Sequence, residues 1–228
     1  MNPAMSLIMS KPRLTVFGLA LWALGVLLLA SCDKPAAPVA APARTVLTSF
    51  YPTTYFAERI ASGKVEVRCP CPPGEDPVSW KPSRADLAAY QEAGLIVLNG
   101  AAFEKWPASA SLPAARTVST AASFKDEFIR SKTVTHSHGP GGKHSHSGID
   151  GHTWVDPVNA KTQAQAIRDA MSKAWPEHAQ AFEAGFVGLA ADLDGLDARC
   201  REVTVQIGTR PILTSHPAYA YIARRYGW

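Results

Sequence analysis

The sequence predicts an α/β protein: an open parallel sheet with helices on both faces, followed by the start of a second α/β unit. Three observations carry this. From Thr45 onward, short β-branched or apolar runs alternate with helical stretches in the order β-α-β-α-β-α-β, which feeds parallel strands through right-handed crossovers. The run Leu95-Ile96-Val97-Leu98 is apolar at every position, as in a strand buried on both faces of a parallel sheet. A long helical stretch then carries a narrow apolar stripe before strand-like segments resume.

Two segments precede the sheet. Lys11 and Arg13 form a basic region, Leu14 to Leu29 an apolar core, and Leu29-Ala30-Ser31-Cys32 a small-residue site. That order makes residues 1–32 an export signal, with an apolar run short for a membrane span of roughly 20 residues. The site resembles a bacterial lipobox, which implies that Cys32 carries lipid and tethers the mature chain to a bilayer. Residues 33–44, DKPAAPVAAPAR, form an extended, semi-rigid spacer, because prolines this dense propagate neither helix nor ladder.

The sheet elements follow. Thr45 to Phe50 reads as a strand, and Pro52 opens a helix to Ile60 with Tyr55, Phe56 and Ile60 on its apolar face. Ser62-Gly63 stops it, and Val65 to Val67 is a second strand. Cys69 to Pro82, CPCPPGEDPVSWKP, holds too many prolines for a regular element. Ser83 caps a helix carrying Leu87, Ala88 and Tyr90, and Gly94 ends it. After Leu95 to Leu98 come a short helix near Phe103 to Trp106 and a strand near Arg116 to Ser119. Ligands of such sheets bind beyond the carboxyl ends of the strands, where the Cys/Pro loop and the segment 131–157 are expected.

Pro157 opens a helix to about Ala174, and a longer one runs from about Glu177 to Glu202. Its stripe is Phe182, Phe186, Leu189, Leu193, Leu196, Cys200 and Val203, spaced by four and three, on a helix roughly 40 Å long. Core packing is the expected role, with Cys200 as a small buried hydrophobe. Val203 to Ile207 and Pro211 to Ser215 read as strands, and Pro217 begins a helix with Tyr221, Ile222 and Arg225. These are expected to start a second lobe that the chain cuts short at Trp228.

Chemistry concentrates in His136 to Pro157, which holds five of the seven histidines. His136, His138, His144 and His146 form two H-x-H pairs among glycine, serine and proline, a loop (136–148) expected to be unstructured and to capture or sense metal weakly. His152 lies between Asp150 and Asp156, either of which could fix its ring as a metal ligand requires. His216, where a strand is expected to meet a helix, is a second candidate ligand, whereas His178 is expected at the surface. The formal charge of +4 comes without a dense Lys/Arg stripe, so nucleic acid is not a partner class. No H-E-x-x-H or comparable motif places a general base, so catalysis is not expected. With Cys32 assigned to lipid, Cys69, Cys71 and Cys200 remain, and a Cys69–Cys71 bond would close a strained ring.

Four stretches together resemble the metal-binding solute-binding proteins of bacterial ABC importers, the zinc- and manganese-type group. Gly74 to Ser83, GEDPVSWKPS, is similar to its G-x-x-P-H-x-[YW]-x-P-[ST] loop, and Ala93 to Gly100 to its A-D-L-[IV]-[VI]-x-N-G strand. Asp150 to Pro157 matches D-x-H-x-W-x-D-P, and Ser215 to Gly227 resembles H-x-[AS]-[FY]-x-Y-[FL]-x-x-[RK]-[YF]-G. The resemblance implies two Rossmann-like lobes with parallel sheets joined through a helical linker, here residues 157–202, whose long backbone helix is Glu177 to Glu202. Zinc is the implied cargo, with manganese the alternative, and an importer permease the implied partner. It also implies His152 and His216 as ligands, and a histidine-rich insertion where 136–146 lies. Val78 stands where the family has its first histidine. Glu75 or Asp76 could supply that ligand, the site could have lost high affinity, or a thiolate from Cys69 or Cys71 could reach in.

Overall fold

The computed structural model describes residues 43–137 and 143–228. The expected export signal, most of the expected spacer, the lipidation candidate Cys32 and His138 of the histidine run lie outside the described residues. Four strands form one sheet: β1 (Thr45–Thr48), β2 (Glu66–Arg68), β3 (Leu95–Leu98) and β4 (Thr117–Ser119), in spatial order β2-β1-β3-β4. All three pairings are parallel, with Val46 opposite both Val67 and Leu95, and Val97 opposite Val118. Every residue of β3 is buried, as its unbroken apolar run requires.

Helix α1 (Tyr51–Ala61) connects β1 to β2, and α2 (Arg84–Glu92) connects β2 to β3. Ser83 closes a capping box on α2: its hydroxyl accepts from Asp86 N–H at 3.2 Å, and the Asp86 carboxylate accepts from Ser83 N–H at 2.8 Å. Helix α3 (Pro157–Ala174) begins on Asp156, whose carboxylate accepts from Val158 N–H at 2.9 Å. A 3-10 turn at Pro176–His178 leads into α4 (Ala179–Ile207), 29 residues long.

The sheet separates two cores. On one face, Val46, Leu95 and Val97 meet Phe56 and Ile60 of α1, Ile167 and Met171 of α3, and Phe182 and Leu189 of α4. On the other, Leu47, Ile96 and Leu98 meet Tyr90 of α2 and Trp106. Each such side chain, fully buried, contributes about 1.5–3 kcal/mol, so strand alternation alone assigns each helix its face.

Five readings are corrected. Val203 to Ile207 is not a strand but the last turns of α4, because helix continuation from a packed stem outweighs the weak strand preference of isolated β-branched residues. Pro211 to Ser215 forms no strand either; it is exposed, and a strand needs a partner edge for its backbone groups. The stripe of α4 is core only in its first half: Phe182, Leu189 and Leu193 are buried, whereas Leu196 and Val203 are 41% and 43% exposed and Cys200 is half-buried. Among its described residues, 136–137 and 143–148, the histidine segment is no shapeless loop. Its backbone forms an antiparallel ribbon, β5 (Arg130–Ser137) with β6 (Lys143–Ile149), pairing His136 with His144 and Val134 with His146. A hairpin satisfies its own backbone groups across the pair, so pairing does not need the apolar residues this segment lacks. His178 is also less exposed than expected, lying edge-on to Phe182 with ring centroids 6.0 Å apart. The final helix, α5, covers Ala220–Tyr226.

Candidate metal centre

The carboxyl ends of β1 and β3 set the floor of the site. Beyond β1, Phe50 packs against Phe103 and Trp154 with ring centroids 4.6 Å from each, and Phe103 and Trp154 are 4.7 Å apart. His152 rests on this aromatic nest, 5.7 Å from Phe103 and 5.4 Å from Trp154. Gly151 is required by the approach: a Cβ there would lie 2.8 Å from Cα and Cβ of Phe103.

Asp150 orients the imidazole. Its Oδ1 lies 2.8 Å from His152 Nδ1 and accepts from His152 N–H at 2.9 Å. A carboxylate can only accept, so Nδ1 carries a proton toward it and Nε2 is the ring nitrogen left to meet a metal, the arrangement found behind metal-bound histidines. Of the two acids flanking His152, Asp150 fills that role. Asp156, 1% exposed, instead caps α3 and takes Arg225 Nε at 2.8 Å.

His216, on the segment before α5, brings its ring to 5.4 Å from that of His152, at an interplanar angle of 78°. Two imidazoles sharing one tetrahedral zinc, with Zn–N of about 2.0–2.1 Å, place their centroids roughly 5 Å apart. The pair therefore fits two of the four positions around a zinc ion. Among the described residues, no group of three or more His, Cys, Asp or Glu side chains is placed to hold one metal ion.

The Cys/Pro loop lines a cleft that shares Phe50 with the aromatic nest. Val78 is half-buried. Asp76 is committed to its own turn: its carboxylate accepts from Val78 N–H at 3.0 Å and from the Ser79 hydroxyl at 2.9 Å. Glu75 is exposed and lines a cleft of about 450 Å³ with Phe50, Tyr51, Cys69 and Cys71. Both cysteines are unpaired. Burial pushes the Cys71 thiol up to about 11, with Cys69, Glu75 and Asp76 adding negative charge, so the thiolate a metal needs is scarce at neutral pH.

Sequence patterns assign no role to the residues that hold the His152 segment. Asn99 Nδ2 donates to the Gly151 carbonyl at 2.9 Å, and Asn99 Oδ1 accepts from Gln163 Nε2 at 2.8 Å. Thr153 bonds both amides at 3.2 Å. Glu104, 8% exposed, accepts from Asn99 N–H at 2.7 Å, Gly100 N–H at 3.1 Å and the Ser49 hydroxyl, which ties the ends of β1 and β3 to the loop carrying Phe103. Tyr221 and Arg225 of α5 reach the same segment from 71 and 69 residues away. Asn99, Tyr221 and Arg225 fall inside the stretches that carry the resemblance, but partners so remote leave no local pattern.

Comparison with known proteins identifies the family. A family model described as "Zinc-uptake complex component A periplasmic" matches residues 46–228. The high-affinity zinc uptake system protein ZnuA of Bacillus subtilis (strain 168) is 29% identical over 217 residues, covering 92% of this chain and 68% of its own. The zinc-binding lipoprotein AdcA of Streptococcus pneumoniae is 27% identical over 187 residues, covering 80% of this chain but 37% of its own. Among solved structures, the metal-dependent lipoprotein YcdH of Bacillus subtilis superposes with a TM-score of 0.68 at 26% identity, covering 80% of this chain and 64% of that one. The Zn(II)-bound AdcA of Streptococcus pneumoniae gives 0.65 at 25% identity, covering 80% and 37%. The chain thus spans about two thirds of the shorter relatives and little more than a third of AdcA. With the model matched from the first strand to Trp228, the chain belongs to the family of periplasmic zinc-uptake components.

Proposed function

We propose that this protein captures zinc outside the cytoplasm and hands it to the membrane permease of an ABC importer, performing no chemistry on its cargo. The observation that carries this reading is the pair of imidazoles, His152 and His216, at zinc-sharing distance, with Asp150 fixing the tautomer of the first. Imidazole nitrogen suits zinc better than manganese, which prefers oxygen. The names of the relatives support the same cargo. Lipid attachment at Cys32 would hold the protein at the cell envelope, near the permease and its bilayer. The third and fourth ligands are not assigned. Asp76 is engaged in its turn, which leaves the exposed Glu75 as the carboxylate able to swing inward. Val78, in place of the family histidine, favours a second reading: a lipid-anchored metal chaperone, sensor or adhesin with an altered site on the same scaffold.

Zinc titration of the full-length protein, followed by calorimetry, separates these. The importer reading expects one tight site that disappears when His152 and His216 are both replaced by alanine. Unaltered tight binding in the double variant would show that the pair is not the site. Weak binding in the wild type would favour the second reading.

A further inference from the structure

The last helix is fastened to the root of the histidine ribbon through one phenol. Tyr221, fully buried, donates its hydroxyl to the Asp150 carbonyl at 2.8 Å and accepts from Ile129 N–H at 3.1 Å. Ile129 immediately precedes β5, and Asp150 immediately follows β6. The two are also joined directly, Asp150 N–H donating to the Ile129 carbonyl at 2.8 Å. Arg224 adds a bond from Nη1 to the Glu127 carbonyl at 2.8 Å, and Arg225 grips Asp156 on the far side of His152. The Asp150 carboxylate in turn holds His152.

A buried tyrosine hydroxyl needs partners anywhere in a protein. What distinguishes this one is where the partners sit: a single oxygen bridges both ends of the ribbon, at the residue whose side chain aims the imidazole. Burial raises the phenol's pKa, so it keeps the proton it donates. Groups behind a metal-bound histidine set ligand orientation and basicity, and their loss typically weakens metal binding about 10–100-fold.

We propose that Tyr221 is a positioning residue for the His152 ligand, fixing the Asp150 backbone so that the histidine ribbon and the imidazole share one anchor. Movement of the ribbon root, such as metal held by the ribbon would impose, then reaches His152 through Asp150. This rests on the reading of His152 as a zinc ligand.

The test compares full-length wild type, Tyr221→Phe and His152→Ala. Zinc affinity is read by competition with a chromogenic chelator, and ligand geometry by the visible spectrum of bound cobalt(II). Tyr221→Phe keeps the buried ring and removes the bridging oxygen. It should fold, weaken zinc binding about tenfold and shift the cobalt bands, which a purely structural tyrosine would leave in place. Wild-type affinity and spectrum in Tyr221→Phe, with binding lost in His152→Ala, would overturn the proposal and leave the zinc reading standing. Wild-type affinity in His152→Ala would overturn both. If Tyr221→Phe fails to fold, amide exchange at Ile129 in the wild type decides: zinc should slow it through the shared anchor, and an unchanged rate overturns the proposal.

Discussion

At the scale of residues, the site is a short relay in which each group sets the next. Asp150 holds the ring of His152 through Nδ1, the aromatic nest packs against that ring, and in the proposed site His216 would supply a second nitrogen at a ring spacing suited to zinc. The relay predicts that Asp150→Asn, whose side-chain amide no longer offers a charged acceptor, weakens zinc binding about 10–100-fold while the fold persists. A chelator competition assay checks this, and an unchanged affinity would mean that the ring is held by packing alone. Asp150 was legible in the sequence, since an acid two residues before a histidine can reach its ring. Which flanking acid did so was not legible: Asp150 and Asp156 look equivalent until the start of α3 and Arg225 claim the second.

At the scale of elements, the loop after β3 does more than connect. Glu104 is buried behind Phe103 and gathers two backbone N–H groups and a hydroxyl from the ends of β1 and β3. Burial raises its pKa, so the folded state holds this proton more tightly than the unfolded chain. Its contribution to stability is therefore full below the unfolded value and is lost as pH rises through the folded one. Glu104→Ala should cost about 2–4 kcal/mol by stranding those donors, and it should flatten that part of the stability–pH curve, as urea denaturation from acid to neutral pH would show. A slope equal to that of the wild type would place the titration elsewhere. The Ser83 cap of α2 and the proline starts of α1 and α3 were readable in sequence because helix ends are closed by neighbours within three or four residues. The end of α4 was not: Val203, Thr204, Val205 and Ile207 favour a strand locally, and only the packed first half of the helix overrides them.

At the scale of the whole molecule, a ligand bound to the native state alone raises stability by mass action, about 2.7 kcal/mol at a hundred times its dissociation constant. Zinc should therefore raise the melting temperature of the full-length protein. Removal of residues 136–146 should preserve that rise, because the root of the ribbon at Ile129, Asp150 and Tyr221 stays in place. Loss of the entire shift on deletion would make the ribbon, not the imidazole pair, the tight site. The sequence by itself determined the α/β class, the parallel sheet and its long helix, because strand alternation, caps and apolar runs are local consequences of backbone geometry. It also singled out the two histidines and the substitution at Val78, because motif spacing survives in one dimension. Tertiary structure alone decided that His152 and His216 face each other, that Asp76 serves its own turn, and that Tyr221 and Arg225 bind the His152 segment. Those contacts join residues two to 71 positions apart, and only packing decides which of several chemically equal partners comes within hydrogen-bonding reach.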